Sequence, residues 1–320
     1  MEEDMKPIKS TPALSLSKSQ SATRPSLTVA LLIVLSLISL CAESAAPTKQ
    51  PLEQAYLSHW FSIDSTEPIN LTLSPLDKDH LGERSELRFT SDDGQLVNGI
   101  IAHPTTSKAS SKKLALLLHP MGSDQQFWWR KQSLLPAKQI TDSLREYGYT
   151  IISLDARKHG ERSKKGFSPR ELIKRAHSAE PRLYNDTIIG SVRDYRIALN
   201  WAKNEFNIDD VIVLGYSMGA QMSLLLSRYE PNINSIVAMV PPYVGSPTSP
   251  VAPRIHTPKI ASAKLLWLAA SKDPHSTQQQ TQETFDLVSS NDKALVWYDS
   301  GHRLPPSFLN TVLALSLIHI

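Results

Sequence analysis

The stretch Val211 to Gln221, VIVLGYSMGAQ, changes character halfway along. Val211, Ile212, Val213 and Leu214 form the kind of unbroken aliphatic run that a strand buried on both faces requires. Ala220 to Ser227, AQMSLLLS, continues instead with the composition of a buried helix. Between them a serine stands between two glycines. A strand that runs straight into a helix must turn sharply, and Gly215 and Gly219 remove the side chains that would collide in the turn. Ser217 is thereby pushed out at the carboxyl end of the strand. There its hydroxyl is accessible, and the first N–H groups of the helix lend positive partial charge to any oxyanion formed beside it.

Outward from this turn the chain alternates between two patterns. Short runs suited to strands begin at Ser85 (SELRFT), Val97 (VNGIIAHP), Lys113 (KLALLLHP), Thr150 (TIISLDA), Asp210 (DVIVLGY), Ser235 (SIVAMVPP), Ala263 (AKLLWLAA) and Lys293 (KALVWYDS). Stretches with helical spacing start at Leu134, Thr187, Met218 and Ser276. In the second, Ile188, Val192, Tyr195, Leu199 and Ala202 recur at three- and four-residue steps, and Asn185 or Asp186 is expected to cap its start. The alternation predicts the α/β class: a mostly parallel eight-stranded sheet with helices on both faces. The first two runs, joined by SDDGQL, predict an antiparallel hairpin at the sheet edge. Residues 45–84, rich in Pro, Ser and Thr, read as a lead-in packed loosely on a domain spanning 85–314.

A serine hydroxyl needs a base to act as a nucleophile near neutral pH, and the base needs an acid to orient it. YDSGHRLP places His302 just beyond the last strand run, and LAASKDPHS places Asp273 just beyond the one before it. With the order Ser217, Asp273, His302, the chain resembles the α/β-hydrolase superfamily, and within it the dienelactone-hydrolase-like and prolyl-oligopeptidase-like serine hydrolases. The resemblance covers Ser85 to Ala314 and rests on GYSMG, KDP, SGH, LLLHPMGSD and DARKHGERS. It implies Ser217 as nucleophile, His302 as general base and acid, and Asp273 as the carboxylate that holds the imidazole. It also implies the backbone N–H groups of Met121 and Met218 as the oxyanion hole, with Pro120 standing where relatives carry glycine.

Other candidates have their own readings. Asp155 follows a strand and competes with Asp273 for the acid, although in relatives its stretch shapes a loop beside the site. His119 and His159 resemble residues that pin neighbouring loops. His103, His177, His256 and His275 lack ligand-like spacing, so no metal and no cofactor are expected. FWWRKQ, Phe127 to Gln132, reads as packing, with a pocket wall as the alternative.

A serine triad beside an oxyanion hole supports acyl transfer, and hydrolysis of a carboxylic ester is the expected use. The alternatives are a peptidase or amidase of the prolyl-oligopeptidase-like type, and a non-catalytic envelope protein with a hydrolase fold. Residues 163–186 are long enough for a small lid, whereas 243–262 are short and proline-rich, which predicts an open site. The basic side chains of the first segment read as a solvated face. A net charge of +3 from 34 basic and 31 acidic residues, without a basic block, argues for a small-molecule ester partner and against nucleic acid.

The two ends differ from the middle. Lys6, Lys9, Lys18 and Arg24 precede the apolar run Leu27 to Leu40 and the small residues CAESAAP, the layout of an export signal over residues 1–44. Cleavage after Ser44 and a periplasmic or secreted location are expected, with membrane anchoring or lipidation at Cys41 as alternatives. Cys41 is the only cysteine, so the exported domain has no internal disulfide. The last six residues, LSLIHI (315–320), match one reading frame of a widely used transposase sequencing adapter, which predicts a native sequence that diverges after Ala314.

Overall fold

Aliphatic and β-branched runs flanked by turn residues become strands in the computed structural model, which describes residues 49–105, 112–131, 135–165, 167–176, 178, 180–245 and 249–317. The expectations for residues 1–44, including Cys41, and for the end of the chain beyond Leu317 lie outside the described residues. Backbone contacts divide the chain into Met1–Glu53 and Gln54–Ile320. Of the first unit only residues 49–53 are described, as the start of helix α1 (Lys49–Trp60).

The second unit continues with β1 (Ile69–Asp79), β2 (Gly82–Thr90), β3 (Leu96–Pro104), β4 (Lys113–Leu118), α2 (Ala137–Glu146) and β5 (Thr150–Leu154). Then come α3 (Pro169–Ala176), α4 (Arg182–Phe206), β6 (Asp210–Tyr216), α5 (Met218–Tyr229), β7 (Ser235–Met239) and the single turn α6 (Pro253–His256). The chain closes with β8 (Lys264–Ala270), α7 (Gln278–Asp286), β9 (Lys293–Tyr298) and α8 (Phe308–Leu317). The strands form one sheet in the order β1-β2-β3-β5-β4-β6-β7-β8-β9. From β5 across to β9 every neighbour is parallel, and the three pairings from β1 to β5 are antiparallel.

Alternation along the central strands builds two cores. Leu114, Leu116 and Leu118 of β4 and Val211 and Val213 of β6 face one side, where Ile188, Val192, Tyr195 and Leu199 of α4 and Met222 and Leu225 of α5 cover them. Ala115 and Leu117 with Ile212, Leu214 and Tyr216 face the other, under Ile140 and Leu144 of α2 and Phe308 and Val312 of α8. Fully burying one such aliphatic side chain contributes about 1.5–3 kcal/mol before entropic costs. The α/β class and the helices on both faces therefore follow directly from the residue pattern.

Three expectations need correction. Among the described residues the sheet has nine strands, one more than the eight read from the sequence. The extra one, β1, lies inside the supposed lead-in: its sequence INLTLSPLDKD is exposed almost throughout, so it carries no buried face to betray it. Pairing with β2 holds it, with register shifts between Ile69 and Thr72 and between Pro75 and Asp77, and proline is tolerated there because β1 is the edge. At its end the buried Arg145 of α2 donates twice to Asp79, at 2.9 and 2.7 Å, holding that carboxyl down to about 2. The β2–β3 hairpin is consequently second from the edge. Finally, α4 begins at Arg182 after Pro181, so Asn185 and Asp186 lie inside the helix and cap nothing. Tyr184, buried against Gln221, extends the helix one turn ahead of the periodic residues.

Candidate active site

Ser217 occupies a backbone conformation, φ 55° and ψ −118°, that non-glycine residues rarely adopt. Such a conformation costs on the order of 1–3 kcal/mol and persists only where its surroundings enforce it. Here they do. A Cβ on Gly215 would lie 2.2 Å from the Gly219 carbonyl oxygen, and one on Gly219 would lie 2.1 Å from that of Leu118. The Ser217 N–H donates to the Met239 carbonyl at 2.8 Å, fastening the turn to β7. The two glycines let helix α5 press against the end of β4, and the serine takes the strained corner.

The residues that follow β8 and β9 converge on that corner. His302 Nε2 lies 2.8 Å from Ser217 Oγ, and its Nδ1 lies 2.8 and 3.0 Å from the Asp273 carboxylate oxygens. A carboxylate only accepts, so Nδ1 carries the proton and Nε2 is left to accept from the serine hydroxyl. The Asp273 side chain is 4% exposed and also accepts the N–H of His275 at 2.8 Å, which fixes its orientation. Ser217, Asp273 and His302 are thus brought together by three different strands. Asp155, the rival acid, is engaged elsewhere: it accepts from the N–H groups of Gln125 at 2.7 Å and Glu161 at 2.9 Å. Burial pushes its carboxyl up to about 6.

The DARKHGERS loop around Asp155 is a structural clamp. Arg157 and Arg162 donate to the buried Asp194 of α4 at 2.9 and 2.7 Å, and His159 Nδ1 donates to the Arg157 carbonyl at 2.9 Å. His119 bridges two loops, donating from Nδ1 to the Pro120 carbonyl and accepting the Ala156 N–H at Nε2, both at 2.9 Å. His119 thus pins a neighbouring loop, as the resemblance implied, whereas the hydrogen bond of His159 stays within its own loop. Gly122, at φ 77°, supplies the left-handed residue of the turn that Pro120 opens. Phe127, Trp128 and Trp129 join the core under α2 and do not border the cavity described below, so packing is their role. Gln132 of that stretch and His177 lie outside the described residues.

Two buried imidazoles set an acid limit on this architecture. Burial lowers both His119 and His256 to about 3. His256 donates from Nε2 to the Pro250 carbonyl at 2.7 Å and has Arg228 beside its Nδ1. An unfolded histidine takes a proton near pH 6.5, so the unfolded state gains protons that the folded state refuses, and stability falls as pH drops below that value. At pH 5 each ring costs about 2 kcal/mol. Asp155 acts in the opposite sense, because its raised pKa makes the folded state the tighter proton binder, and it returns about 1–1.5 kcal/mol at pH 5. These three groups together predict a net loss of about 2–3 kcal/mol between pH 7 and pH 5 in urea denaturation, and His159 and His103, also lowered by burial, add to it in the same direction. His256→Gln removes that ring's share of the loss, about 2 kcal/mol, and a midpoint independent of pH would contradict this account.

A cavity of about 320 Å³ opens over the triad. Met121 and Met218 both border it beside Ser217 and His302. Met218 is the first residue of α5, where N–H groups lack intrahelical acceptors. Helix α3, from the segment expected to form a lid, contributes Pro169, Arg170, Ile173 and Ala176. Several lining residues escaped the sequence reading. His275, set aside for lack of ligand spacing, lies edge-on to the His302 ring with centroids 4.6 Å apart. Its one available signal was its place two residues after Asp273. Tyr243 and Val244 close another wall and follow the prolines after β7. Among the described residues no group of three or more His, Cys, Asp or Glu side chains is placed to hold a metal ion, and no helix is long and apolar enough to cross a membrane.

Known proteins share this fold. A solved acetyl xylan esterase 1 from Thermoanaerobacterium sp. JW/SL YS485 superposes with a TM-score of 0.65 at 15% identity, covering 83% of this chain and 93% of that one. The acetyl xylan esterase from Paenibacillus sp. R4 gives 0.64 at 11% identity, over 81% and 92%. A cold-adapted esterase from an Arctic intertidal metagenomic library gives 0.59 at 20% identity, over 75% and 95%. At these identities the likeness is one of fold. In sequence, 142 residues are 25% identical to anaphase-promoting complex subunit 7 of Arabidopsis thaliana, covering 42% of this chain. The chain spans a quarter of the length of that curated relative, and the match carries no statement about activity. The family model for alpha/beta hydrolases matches residues 115–316, from the third residue of β4 to the last but one of α8, and with the parallel sheet and the strained serine turn it shows that this chain belongs to the alpha/beta hydrolase family.

Proposed function

We propose that the chain is a serine hydrolase of carboxylic esters that works through an acyl-enzyme on Ser217. The observation that carries this reading is the unbroken line from Asp273 through both nitrogens of His302 to Ser217 Oγ, with contacts of 2.8 Å at each end, beneath an accessible cavity. The Ser217 hydroxyl passes its proton to His302 Nε2 as Oγ bonds to the ester carbonyl carbon. The carbonyl oxygen becomes an oxyanion, held by the N–H groups of Met121 and Met218. Collapse breaks the bond to the alcohol, which leaves with the proton from Nε2, and the acyl group stays on Oγ. Water then gives a proton to Nε2 and its oxygen to the acyl carbon. The second collapse frees the acid and returns the proton to Ser217.

The walls argue for the kind of ester. Met121, Pro169, Ile173 and Val244 present apolar surface, which suits an uncharged acyl or alcohol group. Among the described lining residues the only permanent charge is Arg170, and no carboxylate is present, which disfavours cationic esters. Two of the structurally similar proteins are named for acetyl xylan, which makes acetylated carbohydrates the natural esters to assay beside short-chain p-nitrophenyl esters. Export through residues 1–44 remains part of the proposal and rests on their charge and hydropathy pattern alone.

Labelling tests the reading directly. Incubation with diethyl p-nitrophenyl phosphate is expected to release one p-nitrophenol per chain and to leave a diethylphosphoryl group on the peptide containing Ser217, read by mass spectrometry. A chain that hydrolyses p-nitrophenyl butyrate but is neither inhibited nor labelled would rule out the serine mechanism.

A further inference from the structure

Tyr216, directly before the serine, does more than fill the turn. Its ring belongs to the core under α2 and α8, and the side chain reaches beneath the loop that carries His302. The hydroxyl donates to the His302 carbonyl at 2.7 Å and accepts the Leu304 N–H at 3.0 Å. The two rings meet edge to face with centroids 6.1 Å apart. We propose that Tyr216 is a positioning residue that fixes the distance between the His302 imidazole and Ser217 Oγ.

The argument rests on where the histidine hangs. His302 lies 85 residues from Ser217 along the chain, on a loop leaving β9, and β9 is the sheet's outer strand and partly exposed. Elsewhere the loop is held by contacts such as Lys272 N–H to the Ser300 carbonyl at 2.9 Å, which fix its start and not the histidine itself. Tyr216 short-circuits that route. It sits one peptide from the serine, with Cα atoms about 3.8 Å apart, and grips the histidine's own peptide and the next N–H but one. Burial pushes its phenol up to about 12, so the hydroxyl keeps the proton it donates throughout the working pH range. A misplacement of about 1 Å in a reacting group costs on the order of a hundredfold in rate.

This inference rests on the hydrolase reading above, and the experiment separates the two. Tyr216→Phe and Ser217→Ala are compared with the unaltered protein on p-nitrophenyl butyrate, alongside NMR of the histidine Nδ1 proton that faces Asp273. Tyr216→Phe is expected to lower kcat about 30- to 100-fold with KM changed less than twofold, and to broaden or shift that proton. A role in packing alone predicts an unmoved proton and a kcat within threefold, and either result overturns the proposal while leaving the reading intact, provided Ser217→Ala is inactive. Equal activity in Ser217→Ala and the unaltered protein overturns the reading and the proposal with it. Should Tyr216→Phe fail to fold, hydrogen exchange on the unaltered protein decides: a protected Leu304 amide supports the grip, and fast exchange there overturns it.

Discussion

Ser217→Ala is expected to lower kcat toward p-nitrophenyl butyrate by about 10⁵- to 10⁶-fold with little change in KM. The substitution deletes only the oxygen that His302 Nε2 contacts at 2.8 Å, leaving the cavity walls and the N–H groups of Met121 and Met218 in place. Ground-state binding therefore survives and the covalent route does not. The loss corresponds to about 7–8 kcal/mol of transition-state stabilisation. Some acceleration over water persists, because the polarised pocket still favours an oxyanion formed by attacking water. Alanine also inherits the φ of 55°, so stability should change little and the activity loss cannot be ascribed to unfolding. Steady-state kinetics on purified protein, with unfolding midpoints measured in parallel, check the result; a loss below about tenfold would remove Ser217 from the chemistry.

Asp273→Asn is expected to cost about 10³- to 10⁴-fold in kcat, less than loss of the serine and with the fold intact. The amide oxygen can still accept the His275 N–H that Asp273 accepts at 2.8 Å. Its NH₂ group, however, then faces His302 Nδ1 and donates to it. Nδ1 becomes the acceptor, the ring proton moves to Nε2, and a protonated Nε2 cannot take the proton of Ser217. The defect lies in the direction of one hydrogen bond. Phosphorylation of Ser217 by diethyl p-nitrophenyl phosphate should accordingly slow in the same proportion as ester turnover. An Asn variant within tenfold of the unaltered protein would mean that another group orients the imidazole.

How much of this was readable beforehand depended on burial. Strands β4 and β6 announce themselves because both their faces meet core, so every residue from Leu114 to Leu118 and from Val211 to Leu214 is apolar. The serine turn was readable because steric exclusion at Gly215 and Gly219 leaves a mark in the residues themselves. Asp273 and His302 were found because chain order and strand ends constrain a triad even when its members are far apart. Strand β1 was missed because an exposed edge needs no apolar alternation. Tyr216 and Tyr243 were missed, and the lid segment was recognised without the α3 residues that border the cavity, because such roles depend on which distant loop folds over them, and no local pattern records that.

The triad is mounted on supports of unequal durability. The serine directly follows β6, which has hydrogen-bonded neighbours on both sides, whereas the imidazole hangs from β9 at the sheet's margin. Fraying begins at margins, where fewer bonds must break at once. On warming or in mild denaturant the imidazole is therefore expected to disengage before the central strands melt, so that loss of ester hydrolysis precedes loss of helical circular dichroism.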